Sequence, residues 1–439
     1  MRKYYISLLA LLYTGTTTVH AQATIYPAPP EKGKIIITGG TLHLGNGQVI
    51  ENGSIAIDGG KIVQVGTGLI PGAGDKVIDA TGKQVYPGLI LPVTDLGLKE
   101  IAEGVRGSND YEEIGDLNPD IRAIVAYNTA SRIINVVRSN GILLAGITPE
   151  GGSISGSSSI VQLDAWNYED AAYKLDQGIH LNMPSFISRP RRFGAGPGGV
   201  RPEAGDDPTA VSLQKVEELK RFFREAKAYL AEGSHTHTNI KFETVKGLFT
   251  HQQKLYIHAE QVKQMLIAID FAREFGFDVV LVGASESWQI ADLLAQNHIA
   301  VILDQEHELP ATEDDDIDQP FKTPAVLQKA GVLFCLNDRH EETRYRNLPF
   351  NAGVAAAYGL GKEAALQAIT LNAARILGID SVTGSLEVGK DANIVISTGD
   401  ILDMRTSIVT TALIQGREIN LANVGTELYD RYKYKYGLK

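Results

Sequence analysis

Polar side chains, most of them acidic, follow directly on short apolar runs of this sequence, where buried strands would end. These residues are Asp95, Glu150, Asp164, His258, Ser285, Glu286, Asp304 and Asp338. In a barrel of parallel strands, the residues that end the strands meet at one face and form the active site. Carboxylates and imidazole exchange protons with substrates and bind divalent ions. The sequence therefore predicts an acidic mouth that could do either.

Two of these residues, His258 and Asp338, are the main candidates for chemistry. His258 closes the run Leu-Tyr-Ile-His-Ala, and Asp338 follows the apolar run 332–336 and Asn337. A neutral imidazole binds Zn²⁺ well, and a carboxylate beside a cation can take a proton from water. Each residue also has an ordinary structural explanation, because histidines at strand ends and aspartates in turns are common.

The middle of the chain alternates between helical and strand patterns. A helix over residues 121–139 is followed by a strand over 142–148, and apolar residues repeat on one helical face over 211–231. From residue 254 onward, short strands and helices alternate regularly. This alternation indicates a parallel sheet, here closed into a barrel over residues 87–382.

Both ends of the chain are rich in strand patterns. Residues 34–86 alternate between apolar and polar positions, with turn signals such as Asn46-Gly47 that are typical of hairpins. The same character returns at residues 392–420. We therefore expect one small β-sandwich domain, built from residues 22–86 and 383–439.

Two stretches resemble a known family. Residues 82–90 read Gly-Lys-Gln-Val-Tyr-Pro-Gly-Leu-Ile, and residues 364–396 contain Ala-x-Thr-x-Asn-x-Ala followed by Gly-x-Leu-x-x-Gly-Lys. The chain resembles the amidohydrolase superfamily, and most of all its imidazolonepropionase-like branch, although Asn393 stands where the family phrase has aspartate. The resemblance implies an α/β fold, a TIM-like (β/α)8 barrel with a small β-sandwich domain formed from both chain ends.

The chain departs from the family at the metal ligands. The family follows its first barrel strand with a His-x-His pair, whose places are taken here by Val93 and Asp95. The histidine of the sixth strand is also missing, since residues 279–283 run into Ala-Ser-Glu. The resemblance implies that His258 and Asp338 keep their catalytic roles. It leaves a reduced metal site of His258, Asp338 and Asp95 for a divalent ion such as Zn²⁺ or Mn²⁺.

Three functions remain open at this point. The resemblance implies a hydrolase of carbon–nitrogen bonds other than peptide bonds, acting on a small molecule such as a cyclic amide, with Asp338 as the base. The lost ligands favour instead a catalytically inactive binding protein that lacks the metal. A third hypothesis is metal-free hydrolysis, in which His258 near Asp304 or Asp338 activates water.

The composition and the N-terminus limit the setting in which the protein works. The formal net charge of −11 makes non-specific nucleic-acid binding unfavourable. Residues 1–21 have the pattern of a cleavable signal peptide, and their apolar run is too short to span a membrane. We therefore expect an exported, periplasmic or extracellular protein that is not membrane-spanning. The single cysteine, Cys335, lies in an apolar run and is predicted to be buried rather than nucleophilic.

Two further segments carry predictions about the mouth. Residues 150–159, rich in glycine and serine, are predicted to form a loop whose backbone contacts the substrate. Residues 189–207, rich in glycine and proline, form either a loop over the mouth or a surface insertion without a role.

Overall fold

The computed structural model of the protein describes residues 25–100, 109–186, 208–304, 309–310, 314–339 and 344–438. The predicted signal peptide, residues 1–21, and the segment 189–207 lie outside the described residues.

The described chain forms two sheets. The first begins with β1 (Ile35–His43), β2 (Val49–Asp58), β3 (Lys61–Thr67), β4 (Lys76–Asp79) and β5 (Gln84–Pro87). The second contains β6 (Leu89–Thr94), β7 (Ile142–Ile147), β8 (Ile154–Gln162), β9 (Ala172–Asn182), β10 (Lys254–Ala259), β11 (Val279–Gly283), β12 (Ala300–Leu303) and β13 (Phe334–Leu336). Three last strands, β14 (Ile394–Ser397), β15 (Val409–Ile414) and β16 (Arg417–Glu418), return to the first sheet.

The first sheet joins the two ends of the chain, as predicted. Its strand order is β16-β15-β14-β5-β1-β2-β3, with β4 also paired to β1. The two ends meet where β14 runs antiparallel to β5, with Ile394 opposite Pro87. Because β5 leads directly into β6, this sheet fixes the point at which the chain enters the second sheet.

The second sheet is a nearly closed barrel with the strand order β13-β12-β11-β10-β9-β8-β7-β6. Its seam lies between β6 and β13, where the side chain of Asn337 bridges the gap. The Asn337 amide accepts a hydrogen bond from the Val93 backbone N–H at 3.2 Å and donates one to the Val93 carbonyl at 2.9 Å. The TIM-like barrel, together with a second sheet built from strands of both chain ends, confirms the predicted fold class.

One strand of the barrel differs from the prediction of an all-parallel sheet. The strand β8 runs antiparallel to both β7 and β9, with Leu144 opposite Gln162. The prediction that residues 150–159 form a substrate loop is therefore wrong for 154–159, which are buried within β8. Asp164 was expected at the mouth but follows β8 at the opposite end of the barrel, beside the start of β7.

Helices cover the outside of the barrel. The described helices are α1 (Ala123–Ala126), α2 (Arg132–Arg138), α3 (Tyr168–Ala171), α4 (Pro208–Ala231), α5 (Ile240–Thr244), α6 (Lys246–Phe249), α7 (Val262–Phe275), α8 (Ala291–Gln296), α9 (Gln319–Ala330), α10 (Leu348–Ala355), α11 (Lys362–Ala368), α12 (Leu371–Leu377) and α13 (Val424–Tyr436). Within the described ranges, none combines the length and the apolar character needed to cross a membrane.

The single helix predicted for residues 121–139 is two helices, α1 and α2. The backbone N–H of Asn128 donates to the Gly97 carbonyl at 2.9 Å, and its side chain accepts from the Ala130 N–H at 3.0 Å. These bonds replace helical ones, because asparagine side chains compete with the helix for backbone groups. The predicted helix over 211–231 is confirmed as α4, which begins three residues earlier.

Alternate residues of the barrel strands pack on opposite sides. Ile90, Val282 and Ile302 belong to the cluster that fills the barrel, whereas Leu89 and Leu91 pack outward in the cluster that includes the helices. Cys335 is fully buried in the inner cluster, which confirms its predicted structural role. The interior of the barrel is therefore filled by apolar side chains, and the polar groups lie at the strand ends that form the mouth.

Candidate active site

The mouth of the barrel is formed by residues that follow parallel strands. These are Asp95 after β6, Glu150 after β7, His258 within β10, Asp304 after β12, and Asp338 and Arg339 after β13. Because these five strands run in the same direction, their ends meet at one face of the barrel.

Arg339 is the basic residue at the centre of this face. One guanidinium nitrogen, Nη1, lies 2.7 Å from His258 Nδ1, and the other, Nη2, donates to Glu150 Oε1 at 3.1 Å. Burial lowers the pKa of Arg339, whereas the carboxylates of Asp304, Glu150 and Asp95 raise it, and the net shift is upward. The guanidinium is thus a fixed positive charge held among carboxylates.

The contact with Arg339 determines the proton positions of two histidines. A guanidinium only donates hydrogen bonds, so His258 Nδ1 must accept, and its Nε2 carries the hydrogen. That Nε2–H donates to His180 Nδ1 at 2.9 Å, and His180 Nε2–H then donates to Ser158 Oγ at 2.8 Å. Both rings are therefore neutral in this network.

The electrostatic surroundings agree with neutral rings. Burial, Arg339 and His180 together hold the pKa of His258 well below its usual value. Burial, followed by the charge of Arg339, lowers the pKa of His180 to about 3. His258 therefore acts here as a hydrogen-bond acceptor that orients the guanidinium.

His180 was missed in the sequence, although it stands near the end of an apolar run. It lies in β9, is only 1% exposed, and stacks on Tyr256 with ring centroids 4.8 Å apart. Gly178 makes room for the Tyr256 ring on which His180 stacks, since a Cβ at position 178 would lie 2.2 Å from Tyr256 Cε2. A histidine two positions before the polar residue that ends a strand, as in Gly-Ile-His-Leu-Asn, is the signal that could have found it.

Asp304 is a carboxyl group of the mouth whose acidity is strongly altered. It is 8% exposed, and its Oδ1 accepts a hydrogen bond from Asn337 Nδ2 at 2.6 Å. Burial raises the pKa of Asp304 to about 7, against the opposing influence of Arg339 and Asn337. A carboxyl with a pKa near neutrality is suited to taking up and releasing a proton at physiological pH.

Asp95 and Asp338 are both buried at the mouth, with partners of their own. The Tyr345 hydroxyl donates to Asp95 Oδ1, and Lys99 Nζ lies 3.8 Å from Asp95 Oδ2. Asp338 Oδ2 accepts from Asn351 Nδ2 at 3.1 Å. The structure thus places Asp95 and Asp338 at the same face as His258, while the catalytic and metal-binding roles of these three residues stay predictions.

Comparisons with known proteins agree with this architecture. Residues 329–419 match the model of the amidohydrolase family. The imidazolonepropionase of Symbiobacterium thermophilum is 26% identical over 388 residues, covering 79% of this chain and 84% of the relative. That of a Geobacillus species is 26% identical over 381 residues with the same coverage. These matches confirm the predicted resemblance to the amidohydrolase superfamily.

Solved structures share the fold of this chain. An amidohydrolase from Thermotoga maritima superimposes with a TM-score of 0.74 at 24% identity, covering 88% of this chain and 99% of that one. Molinate hydrolase superimposes with a TM-score of 0.54 at 18% identity, covering 90% and 96%. The resemblance to the imidazolonepropionase-like branch, predicted from residues 82–90 and 364–396, is supported by the two sequence relatives, and the solved structures support the fold.

Amidohydrolases typically use a divalent ion, but the described residues at this mouth do not fit one. His258 has one ring nitrogen bonded to His180 and the other facing the guanidinium of Arg339. Two unit charges of like sign 4 Å apart repel by about 4 kcal/mol at an effective dielectric constant of 20, and a dication doubles this. Among the residues that the structure describes, no three histidine, cysteine or acidic side chains are grouped to hold a metal ion. Val93, in place of a family histidine, packs inside the apolar barrel.

Proposed function

We propose that this amidohydrolase hydrolyses a carbon–nitrogen bond other than a peptide bond, in a small molecule such as a cyclic amide. The support is the match of residues 329–419 to the amidohydrolase family model, together with the likeness of the chain to two imidazolonepropionases. The observation that carries the proposal is the pairing of Asp304 and Arg339 at the barrel mouth. A buried carboxyl with a neutral pKa lies there within the field of a fixed cation.

This pair can supply the two groups that amide hydrolysis requires. The Asp304 carboxylate takes a proton from water as the water oxygen bonds to the carbonyl carbon. An N–H of Arg339 stabilises the negative charge that develops on the carbonyl oxygen. When the C–N bond breaks, the proton passes from Asp304 to the leaving nitrogen, which gives a carboxylic acid and an amine; the acid then gives its proton to the amine, so a carboxylate and an ammonium group are formed.

The remaining groups of the mouth position this pair. Neutral His258 accepts from Nη1 of Arg339, and Glu150 accepts from Nη2, so the plane of the guanidinium is fixed. His180 in turn holds the ring of His258. Asp338 lies close enough to raise the pKa of Asp304 further, so its removal should alter the acidity of the base rather than delete the base.

The test is a screen of cyclic amides and related ring compounds with purified protein, read by mass spectrometry of the products. Asp304→Asn should lower turnover by about 10² to 10⁴, the range typical of a lost general base. Asp338→Asn should cost less, and Asp270→Asn, on the exposed face of α7, should leave turnover unchanged. Full activity in Asp304→Asn would contradict the assignment of the base.

A second candidate function is favoured by one observation. The predicted ligand His258 has both ring nitrogens engaged by protein groups, which suits a barrel kept as a scaffold that binds a small molecule without cleaving it. A compound from the same screen that raises the melting temperature and is recovered unchanged would support this function. Turnover of any such compound that is lost in Asp304→Asn would reject it.

A further inference from the structure

We propose that Arg339 is a resident cation of the barrel mouth, taking the position that a divalent ion would need and excluding such an ion. The guanidinium of Arg339 contacts an imidazole nitrogen of His258 and the carboxylate of Glu150, with Asp304 and Asp95 nearby. Imidazole and carboxylates are the donor types that bind divalent ions in proteins.

The arrangement suits a guanidinium rather than a metal ion. A guanidinium is planar and presents its N–H donors as a rigid fork, and here the two ends of the fork hold two different partners. The Nε2 of His258 is hydrogen-bonded to His180, which is hydrogen-bonded in turn to Ser158. These bonds orient the His258 ring so that its Nδ1 faces the guanidinium. A chain of three side chains therefore prepares the acceptor for arginine.

The exposed part of Arg339 gives the group an outward function. Its side chain is 27% exposed, and Nη1 and Nη2 each make one hydrogen bond to the described residues. A guanidinium has five N–H donors, so others are available to an oxygen atom of a ligand. The ligand class that fits is a small molecule with a carbonyl or carboxylate oxygen. The inference that Arg339 binds such a ligand rests on the proposed function, whereas the inference that Arg339 excludes a divalent ion does not.

The experiment measures metal binding directly. Wild type, Arg339→Ala and Arg346→Ala are each dialysed against Zn²⁺ or Mn²⁺ and analysed by metal mass spectrometry and calorimetry. We expect wild type and Arg346→Ala, whose arginine is exposed, to retain well under 0.1 equivalent. Arg339→Ala should bind about one equivalent of metal, because loss of the guanidinium frees His258 Nδ1 and leaves the nearby carboxylates without a positive charge. A second change, His258→Ala, should remove that gain.

Two results would overturn the proposal. One is a wild-type protein that holds about one equivalent of metal that is lost in His258→Ala. The other is a folded Arg339→Ala protein that gains no metal. If Arg339→Ala does not fold, the metal content of the wild type still decides, because a stoichiometric ion at His258 is incompatible with a resident guanidinium.

Activity data separate this inference from the proposed function. Turnover of an amide that survives dialysis against a chelator supports both. Turnover that requires added Zn²⁺ or Mn²⁺ overturns the resident cation and leaves the hydrolase intact. Absence of turnover with every amide tested, together with metal gained only by Arg339→Ala, supports the resident cation and counts against the hydrolase.

Discussion

Two clusters of arginine and carboxylate lie at opposite ends of the barrel, and they differ in how completely they are enclosed. At the end away from the mouth, Arg138 Nη1 donates to Asp164 Oδ1 at 2.5 Å, and Arg417 Nη1 donates to Asp164 Oδ2 at 3.1 Å. The backbone N–H of Ala28 also donates to Asp164 Oδ2, at 2.7 Å. The side chain of Asp164 is 0% exposed.

The cluster of Arg138, Asp164 and Arg417, here called the lower cluster, connects three parts of the chain. Arg138 comes from α2 on the barrel, Arg417 from the first sheet, and Ala28 from the segment that precedes β1. At the mouth, by contrast, the side chains of Arg339 and Glu150 are 27% and 29% exposed. A buried ion cluster enclosed by protein donors loses stability when one partner is removed, whereas a cluster open to solvent beside a carboxyl of neutral pKa is available for chemistry.

The largest effect on stability should come from opening the lower cluster. Arg138→Ala leaves the buried Asp164 with one arginine instead of two and should lower the free energy of unfolding by about 3–5 kcal/mol. Urea unfolding measures this change. Arg132→Ala, an exposed arginine of the same helix, should change the free energy by less than about 0.5 kcal/mol. Equal values for the two variants would remove the distinction drawn here.

A substitution in the mouth cluster should affect turnover strongly and stability only slightly. Arg339→Ala should reduce turnover by about 10² to 10³, because a donor to the developing oxyanion is lost. Its free energy of unfolding should change by no more than about 1 kcal/mol, since the pair with Glu150 is partly exposed. Steady-state kinetics and urea unfolding on the same samples test both statements, with Arg346→Ala as the matched control. A variant that is as destabilised as Arg138→Ala would make the mouth cluster structural as well.

The smallest effect expected is a dependence of stability on pH that Asp304 creates. Burial raises its folded pKa from 3.8 to about 7, with Arg339 and Asn337 opposing the shift, and Glu260 and Asp338 adding to it. Between these values the folded state keeps a proton that the unfolded state has released, so the contribution of Asp304 to stability falls as the pH rises from 4 to 7.

Asp304→Asn should therefore gain stability relative to wild type over this interval, by on the order of 2–4 kcal/mol, and then level off above pH ~7. Guanidinium unfolding at pH ~5 and ~8 measures the difference. Asp270→Asn, at an exposed position, should show no such change. A difference between Asp304→Asn and wild type that stays constant with pH would show that the carboxyl does not titrate in this interval.

The sequence by itself determined the class of fold and much of the mouth. Alternating strand and helix patterns predict the barrel, because periodicity reflects which faces are buried. The residues that end strands β6, β10 and β13 were predicted to reach one face, and these strands run parallel, so that their ends coincide there. Two family phrases, residues 82–90 and 364–396, mark where the chain enters and leaves the barrel.

Only the tertiary structure decided the direction of β8 and the partners of Arg339. A strand has the same alternating pattern in either direction, so the sequence placed Asp164 at the mouth although it lies at the other end. Arg339 and His180 are 159 residues apart in the chain and are connected through His258, whose two ring nitrogens contact one each. The neutral pKa of Asp304 likewise depends on burial by the folded barrel, since desolvation arises only when distant segments exclude water.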